Sequence, residues 1–284
     1  MLMNHINKKC LVKRKYGHIG DLLMLTPALK SLSKTYQVYL QVDEEYFPIF
    51  ENNPNIHKLI SLNEKIEKEK FIFFDVSDYE FNYEQIYQPL IIKTKQELFA
   101  NKLEVNITSN KPEIYLTEFE ENWANEYIKK FNNKKIIVLS PKSANLTRDW
   151  PIEKWRALIN NLKKFNFILI VVDKELNWED DSIIFFNNHS LRELFSLISK
   201  VNFVVCQDSG LLHISAAFNV PTFSIFGPTD PNYRCIYNKS SFIKLNLACS
   251  PCWYERCKNL NCLNLLSVES VEKKLLEVIF NEII

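Results

Sequence analysis

Short apolar runs alternate with amphipathic segments throughout the second half of the chain. Apolar, β-branched runs bounded by turn residues predict buried strands, and apolar residues spaced three and four apart predict helices. The predicted strands are residues 135–140, 167–172, 201–206 and 222–226, and the predicted helices are residues 152–162, 191–198 and 211–218. Strands that are apolar on both faces and alternate with helices predict a parallel sheet covered on both sides.

The first half repeats this alternation less regularly. Its predicted strands are residues 10–14, 37–42, 59–62, 71–76 and 113–116, and its predicted helices are residues 21–34, most of 83–103, and 118–131. Pro27 lies inside the first helix and predicts a kink, or a start near Thr26, because proline lacks the N–H that a helix interior uses. The chain is therefore predicted to be an α/β protein with domains at 1–133 and 134–266. A last amphipathic helix, 267–284, is a candidate to pack across their interface.

Composition narrows the class of protein. Apolar residues make up 46% of the 284, which supports a large core and excludes a disordered or fibrous chain. The net charge is +1, so nucleic acid is not an expected partner. The longest apolar run is too short for a membrane span, and none near the start suits a signal peptide, so we expect a cytoplasmic protein.

Three polar turns follow predicted strands of the second half. Asp208-Ser-Gly-Leu-Leu-His213 opens a helix, where Asp208 or Ser209 can act as the cap and free N–H groups with Gly210 suit a phosphate. The other two turns are 141–148 and 227–231. Since parallel sheets bind ligands at the carboxyl ends of their strands, these turns predict a pyrophosphate site. Its candidate residues are Lys142, Ser143, Thr147, Arg148, Asp208, Ser209, Gly210, His213, Thr229 and Asp230.

The equivalent turn of the first half is Tyr16-Gly-His-Ile-Gly-Asp21. Gly17, His18 and Gly20 form a tight turn that we assign to the acceptor side. Asp21 stands at the helix start, where a carboxylate either stabilises the helix or serves as a general base. In the second role it faces the phosphate site of the other domain across a cleft.

Four of the seven cysteines lie in one short segment, beginning with a Cys-x-x-Cys pair. Thiolates at this spacing can hold Fe or Zn, and the alternative is a reduced, partly buried loop. The candidate metal ligands are Cys249, Cys252, Cys257 and Cys262.

Five segments, taken together and in order, resemble the heptosyltransferase family, glycosyltransferase family 9. They are residues 20–29, residues 147–151 with Trp155, residues 208–213, residues 226–231 and the downstream Cys-x-x-Cys. The resemblance runs from Arg14 to Cys262, although residues 36–133 match only as generic α/β sequence.

The resemblance implies a GT-B fold, in which two Rossmann-like domains with parallel sheets face a cleft. It implies inverting transfer from ADP-heptose to a glycan or lipid-linked acceptor, usually the lipopolysaccharide or lipooligosaccharide core, at the cytoplasmic face of the inner membrane. Asp21 would be the base, Arg148 would replace the family's usual lysine, and no cofactor would be needed for catalysis. The family's glycine-rich turn and ribose-binding Glu are replaced here by Val172-Asp-Lys-Glu-Leu, which leaves Asp173 or Glu175 as the candidate.

Two alternatives stay open at this point. Some relatives that glycosylate proteins are similar in carrying a four-cysteine iron site, so a protein heptosyltransferase is one of them. The other is a catalytically idle module that binds a nucleotide or a metal. Peripheral contact with the inner membrane is expected to use the basic residues of 8–15. The sequence predicts no oligomeric state.

Overall fold

The computed structural model describes residues 8–173, 180–234, 237–253 and 257–283. The chain forms two compact units, Met1–Tyr115 (unit 1) and Leu116–Ile284 (unit 2). Both are α/β units built on a parallel sheet, as the sequence predicts. None of the helices in these described ranges has the length and apolar character needed to cross a membrane.

Unit 1 contains a four-stranded parallel sheet with strand order β3-β2-β1-β4. The central strand β1 is buried and follows the predicted apolar run. The strands are β1 (Lys9–Lys13), β2 (Gln37–Val42), β3 (Lys58–Ser61) and β4 (Ile72–Asp75), and the helices are α1 (Ile19–Leu32), α2 (Phe47–Phe50), α3 (Tyr79–Tyr87) and α4 (Lys95–Lys102).

Helix α1 continues through Pro27, so the predicted helix start near Thr26 is wrong. Proline cannot donate to the carbonyl four residues earlier, which leaves Leu23 O without its usual partner. The hydroxyl of Thr26 donates to that oxygen at 2.7 Å and accepts from the backbone N–H of Glu113 at 2.9 Å. Thr26 thus takes over the bond that Pro27 removes.

One other prediction for unit 1 is wrong. Residues 113–116 form no strand, because the N–H of Glu113 is directed to Thr26 rather than to a neighbouring strand. The mostly helical stretch predicted over 83–103 contains two helices, α3 and α4, with Pro89 in the segment between them. Each helix has its own start, and that of α4 is capped by Thr94.

Unit 2 contains a six-stranded parallel sheet with strand order β10-β9-β8-β5-β6-β7. Its strands are β5 (Lys135–Ser140), β6 (Phe167–Val171), β7 (Ile184–Phe185), β8 (Phe203–Gln207), β9 (Thr222–Ile225) and β10 (Ser240–Ile243). Its helices are α5 (Glu118–Lys129), α6 (Ile152–Leu162), α7 (Leu191–Ile198), α8 (Gly210–Ala217), α9 (Pro231–Arg234), α10 (Asn261–Asn264) and α11 (Val268–Ile283). This is the strand order of a doubly wound nucleotide-binding sheet. Strands are added outward from β5 in one direction and then outward from β8 in the other, so the switch point of the sheet lies between β5 and β8.

The core of unit 2 includes the last helix. Val271, Leu275 and Ile279 of α11 are fully buried in the same cluster as Trp150 and Trp155. The helix therefore covers the sheet of unit 2 itself.

The division between the units lies at Tyr115, before α5, whereas the sequence places the domain boundary near residue 133. Helix α5 packs on α7, and Glu120 of α5 accepts two hydrogen bonds of 2.6 Å from Arg192 of α7. Trp123 of α5 also contacts the rings of Phe186 and His189. These tertiary contacts, which no local pattern encodes, assign α5 to unit 2.

Candidate functional site

The loops that follow β5 and β8 lie side by side at the carboxyl edge of the unit 2 sheet. These strands are neighbours at the switch point of the sheet, which is where open α/β sheets bind ligands. Gln207, the last residue of β8, donates from Nε2 to the carbonyl of Pro141 at 3.2 Å. The sheet therefore brings the two predicted phosphate loops together.

Asp208 is the charged centre of this edge. Its side chain is buried, and its Oδ2 accepts a 2.7 Å hydrogen bond from Thr229 Oγ1 and lies 3.6 Å from Arg148 Nη1. Burial opposes the ionised form, but the charges of Arg148 and Arg234 and the Thr229 bond outweigh it and lower the pKa of Asp208. The Asp208 carboxylate thus contacts Arg148 and Thr229, and each of the three residues comes from a different predicted loop.

Helix α8 begins at Gly210, directly after Asp208 and Ser209. Ser209 is the N-cap, but its side chain makes no capping hydrogen bond, and the Asp208 carboxylate is engaged with Thr229. The expectation that one of these side chains caps α8 is therefore wrong. An N-terminus without a side-chain cap keeps its backbone N–H groups available to an anion.

His213 lies one turn further along α8 and is buried. Its Nδ1 is 2.6 Å from the hydroxyl of Tyr237, and the two rings meet edge to face. This contact orients the imidazole.

The loop after β5 is held by its own polar side chains. Asn145 Oδ1 accepts from the backbone N–H of Thr147 at 3.0 Å and from its hydroxyl at 2.8 Å. Ser143 donates its hydroxyl to Asn145 O at 2.7 Å and its N–H to Asp149 Oδ1 at 2.8 Å. Ser143 and Thr147, predicted as phosphate ligands, thus use their hydroxyls to shape the loop.

The two cations of that loop are both partly exposed. Lys142 lies 3.3 Å from Asp149 and has 38% of its side chain exposed, whereas Arg148 has 25% exposed. Burial raises the pKa of Asp149 even though Ser143 and Lys142 favour its ionised form. Of the two cations, Arg148 is the one directed toward the switch point between β5 and β8, because its guanidinium pairs with Asp208.

The turn after β9 contains a residue that the sequence reading missed. Arg234 in α9 is 5% exposed, lies over the rings of Tyr233 and Trp253, and contributes to lowering the pKa of Asp208. Its signal in the sequence is an arginine four residues after Asp230, in a turn at the carboxyl end of a strand. Asp230 itself accepts from the backbone N–H of Asn232 at 2.9 Å.

Gly227 packs tightly against the second half of the cysteine segment. A Cβ at this position would lie 2.7 Å from Cγ of Leu263, and Gly227 O accepts a 2.7 Å bond from Ser250. The missing side chain of Gly227 therefore makes room for the side chain of Leu263.

In unit 1, Asp21 lies in the first turn of α1 and is held on both oxygens. Its Oδ2 accepts from the backbone N–H of His18 at 3.0 Å, and its Oδ1 lies 2.5 Å from Lys95 Nζ. Gly17 precedes this turn with φ +118, and a Cβ there would lie 2.6 Å from Arg14 Nη2. Gly20 is the second, buried residue of α1.

Lys95 pairs with Asp21 and also with Glu84, and neither residue was predicted from the sequence. Lys95 Nζ lies 3.4 Å from Glu84 Oε1, and both side chains are buried. The capping box of α4, in which Thr94 and Glu97 bond each other's backbone, places Lys95 at the first helical position. A buried lysine cannot be read from such a local pattern.

The four cysteines of the predicted metal site range from exposed Cys249 to buried Cys262. Burial, followed by the charges of the other three thiols, raises the pKa of Cys262 to about 11. Within the described ranges, however, no three His, Cys, Asp or Glu side chains are close enough together to hold a metal ion. The four-cysteine metal site therefore stays a prediction. The candidate Asp173 is buried, and Glu175 lies outside the described residues.

Comparison with known proteins shows the family of the chain. A family model described as glycosyltransferase family 9 (heptosyltransferase) matches residues 58–263, which is more than half of the chain. The chain belongs to glycosyltransferase family 9. Lipooligosaccharide heptosyltransferase 2 of Campylobacter jejuni is 25% identical over 299 residues, covering 89% of this chain and 94% of that protein.

Solved structures of this family share the fold. E. coli ADP-heptose LPS heptosyltransferase II has a TM-score of 0.73 at 15% identity and covers 96% of this chain and 99% of its own. A glycosyl transferase family 9 protein from Veillonella parvula has a TM-score of 0.75 at 17% identity, with coverages of 96% and 98%. This family 9 chain is thus a glycosyltransferase with the two Rossmann-like α/β units of the GT-B fold.

Proposed function

We propose that this family 9 chain transfers heptose from ADP-heptose to a hydroxyl of a lipopolysaccharide or lipooligosaccharide core, with inversion at the anomeric carbon. Unit 2 would bind the donor and unit 1 the acceptor. This substrate class is supported by the similarity of the chain, along most of its length, to a lipooligosaccharide heptosyltransferase. E. coli WaaC, with a TM-score of 0.61, has been solved with ADP.

The observation that carries the donor half is the charge arrangement around Asp208. Arg148 and Arg234 supply two positive charges against one ionised carboxylate, and Lys142 is balanced by Asp149. The guanidinium of Arg148 and the N-terminus of α8 both attract a diphosphate. Arg148 presents a planar guanidinium, which can bind two phosphate oxygens at once.

The proposed reaction is a single displacement. Asp21 takes the proton of the acceptor hydroxyl as the oxygen attacks the anomeric carbon, and the bond from that carbon to the diphosphate oxygen breaks with both electrons going to ADP. Attack opposite the leaving group inverts the configuration. Arg148 and the α8 N–H groups stabilise the charge that develops on ADP.

The acceptor half is tested by Asp21→Ala. We expect transfer to fall by about 100-fold or more, since general bases contribute factors of this order, while the affinity for ADP stays near that of the wild type. Transfer is measured with ADP-heptose and a deep-core acceptor, and ADP binding is measured by calorimetry. Unchanged turnover would refute the assignment of Asp21 as the base.

Two further parts of the proposal concern surroundings and metal. We place the enzyme at the cytoplasmic face of the inner membrane, where its acceptor would be made, with no cofactor in the catalytic step. A structural Fe or Zn at the four cysteines, which a protein heptosyltransferase would favour, stays a prediction. TibC is described as an iron-containing glycosyltransferase and has a TM-score of 0.71. Metal analysis of the wild type, Cys249→Ser and Cys252→Ser tests that prediction.

A further inference from the structure

Exposed apolar side chains are concentrated in one segment of unit 1, residues 79–93. Half of the large apolar side chains that are exposed in the described part of the chain lie within this segment. They are Tyr79, Phe81, Ile86, Tyr87, Leu90 and Ile92. Single exposed apolar residues are ordinary, whereas such a concentration marks a surface that contacts something other than water.

Helix α3 buries its charges and exposes apolar residues, which is the reverse of an ordinary surface helix. Glu80 and Glu84, four residues apart, are both buried and form ion pairs with an arginine and a lysine of unit 1. Phe81, Ile86 and Tyr87 of the same helix are exposed. The helix contains no other charged residue, so its outer face is uncharged.

The loop that follows α3 continues this surface. Leu90 and Ile92 are 79% and 81% exposed, and they belong to a run of three aliphatic residues that ends at Lys93. Among residues 79–93, all of which the structure describes, Lys93 is the only charged residue that is exposed. Aliphatic side chains that adjoin exposed tyrosines and end at a lysine are typical of segments that lie at a membrane–water interface.

Charges of both signs border the segment. Asp78 precedes it at the start of α3, and Glu97 follows it in the first turn of α4. Lys102 of α4 lies over the ring of Tyr79, 5.6 Å from its centroid. Apolar insertion is therefore the main attraction that the segment offers, and Lys93 adds a preference for anionic headgroups.

We propose that residues 79–93 dock unit 1 on a lipid bilayer, with Leu90 and Ile92 inserted among the lipids and Lys93 at the level of the headgroups. Fluid lipid accepts projecting side chains without the closely fitting pocket that a protein partner would need. Tyr87 suits the boundary between lipid and water, because its ring is apolar and its hydroxyl is polar.

The docked segment adjoins the predicted base. Glu84 of α3 lies 3.4 Å from Lys95 Nζ, which lies 2.5 Å from Asp21 Oδ1. The purpose of docking rests on the proposed function, in which the acceptor is linked to lipid. Docking by this segment would bring Asp21 to the bilayer surface, where such an acceptor is held.

Vesicle flotation tests the docking without any acceptor. We expect the wild type to float with vesicles of phosphatidylcholine and phosphatidylglycerol in equal parts. Leu90→Ser combined with Ile92→Ser should weaken this binding by about 100-fold, about 10-fold for each side chain removed from lipid. Because both side chains are largely exposed in the protein, the urea midpoint of this double variant should match that of the wild type.

Lys93→Gln tests the contribution of charge. It should weaken binding to the mixed vesicles by about fivefold and leave binding to phosphatidylcholine alone unchanged. Phe119→Ser is the matched control, because Phe119 is 80% exposed but lies in α5 of unit 2. It should float like the wild type.

Transfer assays connect docking to activity. With the core acceptor embedded in vesicles, the double variant should lose at least about 10-fold in kcat/KM, because docking raises the effective concentration of the acceptor. With a deacylated core acceptor in solution, its kcat/KM should equal that of the wild type.

Failure of the wild type to float, or equal flotation of the wild type and the double variant, overturns the docking. A wild-type dimer that does not float and that the double variant dissociates in ultracentrifugation also overturns it, since the segment would then contact a second copy of the chain. Flotation of the wild type without transfer to either acceptor would instead overturn the proposed function and leave the docking supported.

Discussion

Replacing Thr229 by valine removes one hydrogen bond at the candidate donor site and preserves the shape of the side chain. Thr229 is 2% exposed, and its hydroxyl donates to the buried Asp208 carboxylate at 2.7 Å. A hydrogen bond to a charged group contributes about 1.5–3 kcal/mol. The valine variant should therefore lose about that much free energy of unfolding, which corresponds to about 3–12 °C in the melting temperature of a unit of this size.

Thr222→Val is a matched control in the same unit. Thr222 is fully buried, but its hydroxyl donates at 3.0 Å to the neutral carbonyl of Val220. Loss of that bond should cost only about 0.5–1.5 kcal/mol. Urea unfolding of the wild type and both variants, followed by circular dichroism, measures the difference.

The pH dependence of this difference follows from the lowered pKa of Asp208. A carboxyl whose pKa is lower in the folded state contributes stability above its unfolded pKa of about 3.9, and loses it as the pH falls through the folded value. The excess cost of Thr229→Val over Thr222→Val should therefore be constant from about pH 5 to 8 and shrink in stronger acid.

The sequence places Thr229 among the ligands of the donor, and the same variant tests that role. Contact with the diphosphate would weaken ADP binding and leave the free energy of unfolding near that of the wild type. That result would refute the role of Thr229 as a stabilising hydrogen-bond donor to Asp208. The hydrogen bond predicts the reverse, a clear loss of stability with a much smaller change in ADP affinity.

Three further predictions concern other contacts. Arg148→Ala should weaken ADP binding by about 10- to 100-fold in calorimetry, because it removes a charge-assisted contact, whereas Arg148→Lys should retain most of the affinity; equal affinities for the two variants would contradict this. Gly17→Ala should cost at least about 1–3 kcal/mol in urea unfolding, because Gly17 has φ +118 and a Cβ would meet Arg14 at 2.6 Å, and a wild-type midpoint would refute the strain. The hydrogen bonds from Arg192, opposed by burial, lower the pKa of Glu120 to about 2, so the stability they add is complete above about pH 4.5 and lost as the pH falls through 2. Melting temperatures of the wild type and Arg192→Met should therefore converge in acid, and a constant gap would contradict the ion pair.

Most of unit 2 could be predicted from the sequence because its central strands are continuous apolar runs. Strand β5 and helix α7, with its Ser190 capping box, lie where the pattern places them. The edge strands were missed for a physical reason. Strand β7 has only two residues and β10 is half-buried throughout, so neither has the apolar run that marks a buried strand.

The candidate site could be predicted only where its residues are close in sequence. The loops around Arg148 and Asp208 follow strands, so the topology of a parallel sheet brings them together. Lys95 contacts Asp21 from a helix far along the chain, Glu84 contacts Lys95 from another, and tertiary packing places Arg234 where its charge acts on Asp208. Local spacing contains no information about such contacts.

The central claim is inverting heptosyl transfer with Asp21 as the base. The most direct measurement incubates the wild type and Asp21→Ala with ADP-heptose and a lipooligosaccharide core acceptor, and determines the anomeric configuration of the product by NMR. We predict a glycoside of configuration opposite to that of the donor from the wild type, and no product from Asp21→Ala. Retained configuration, or the same product from both proteins, would contradict the claim.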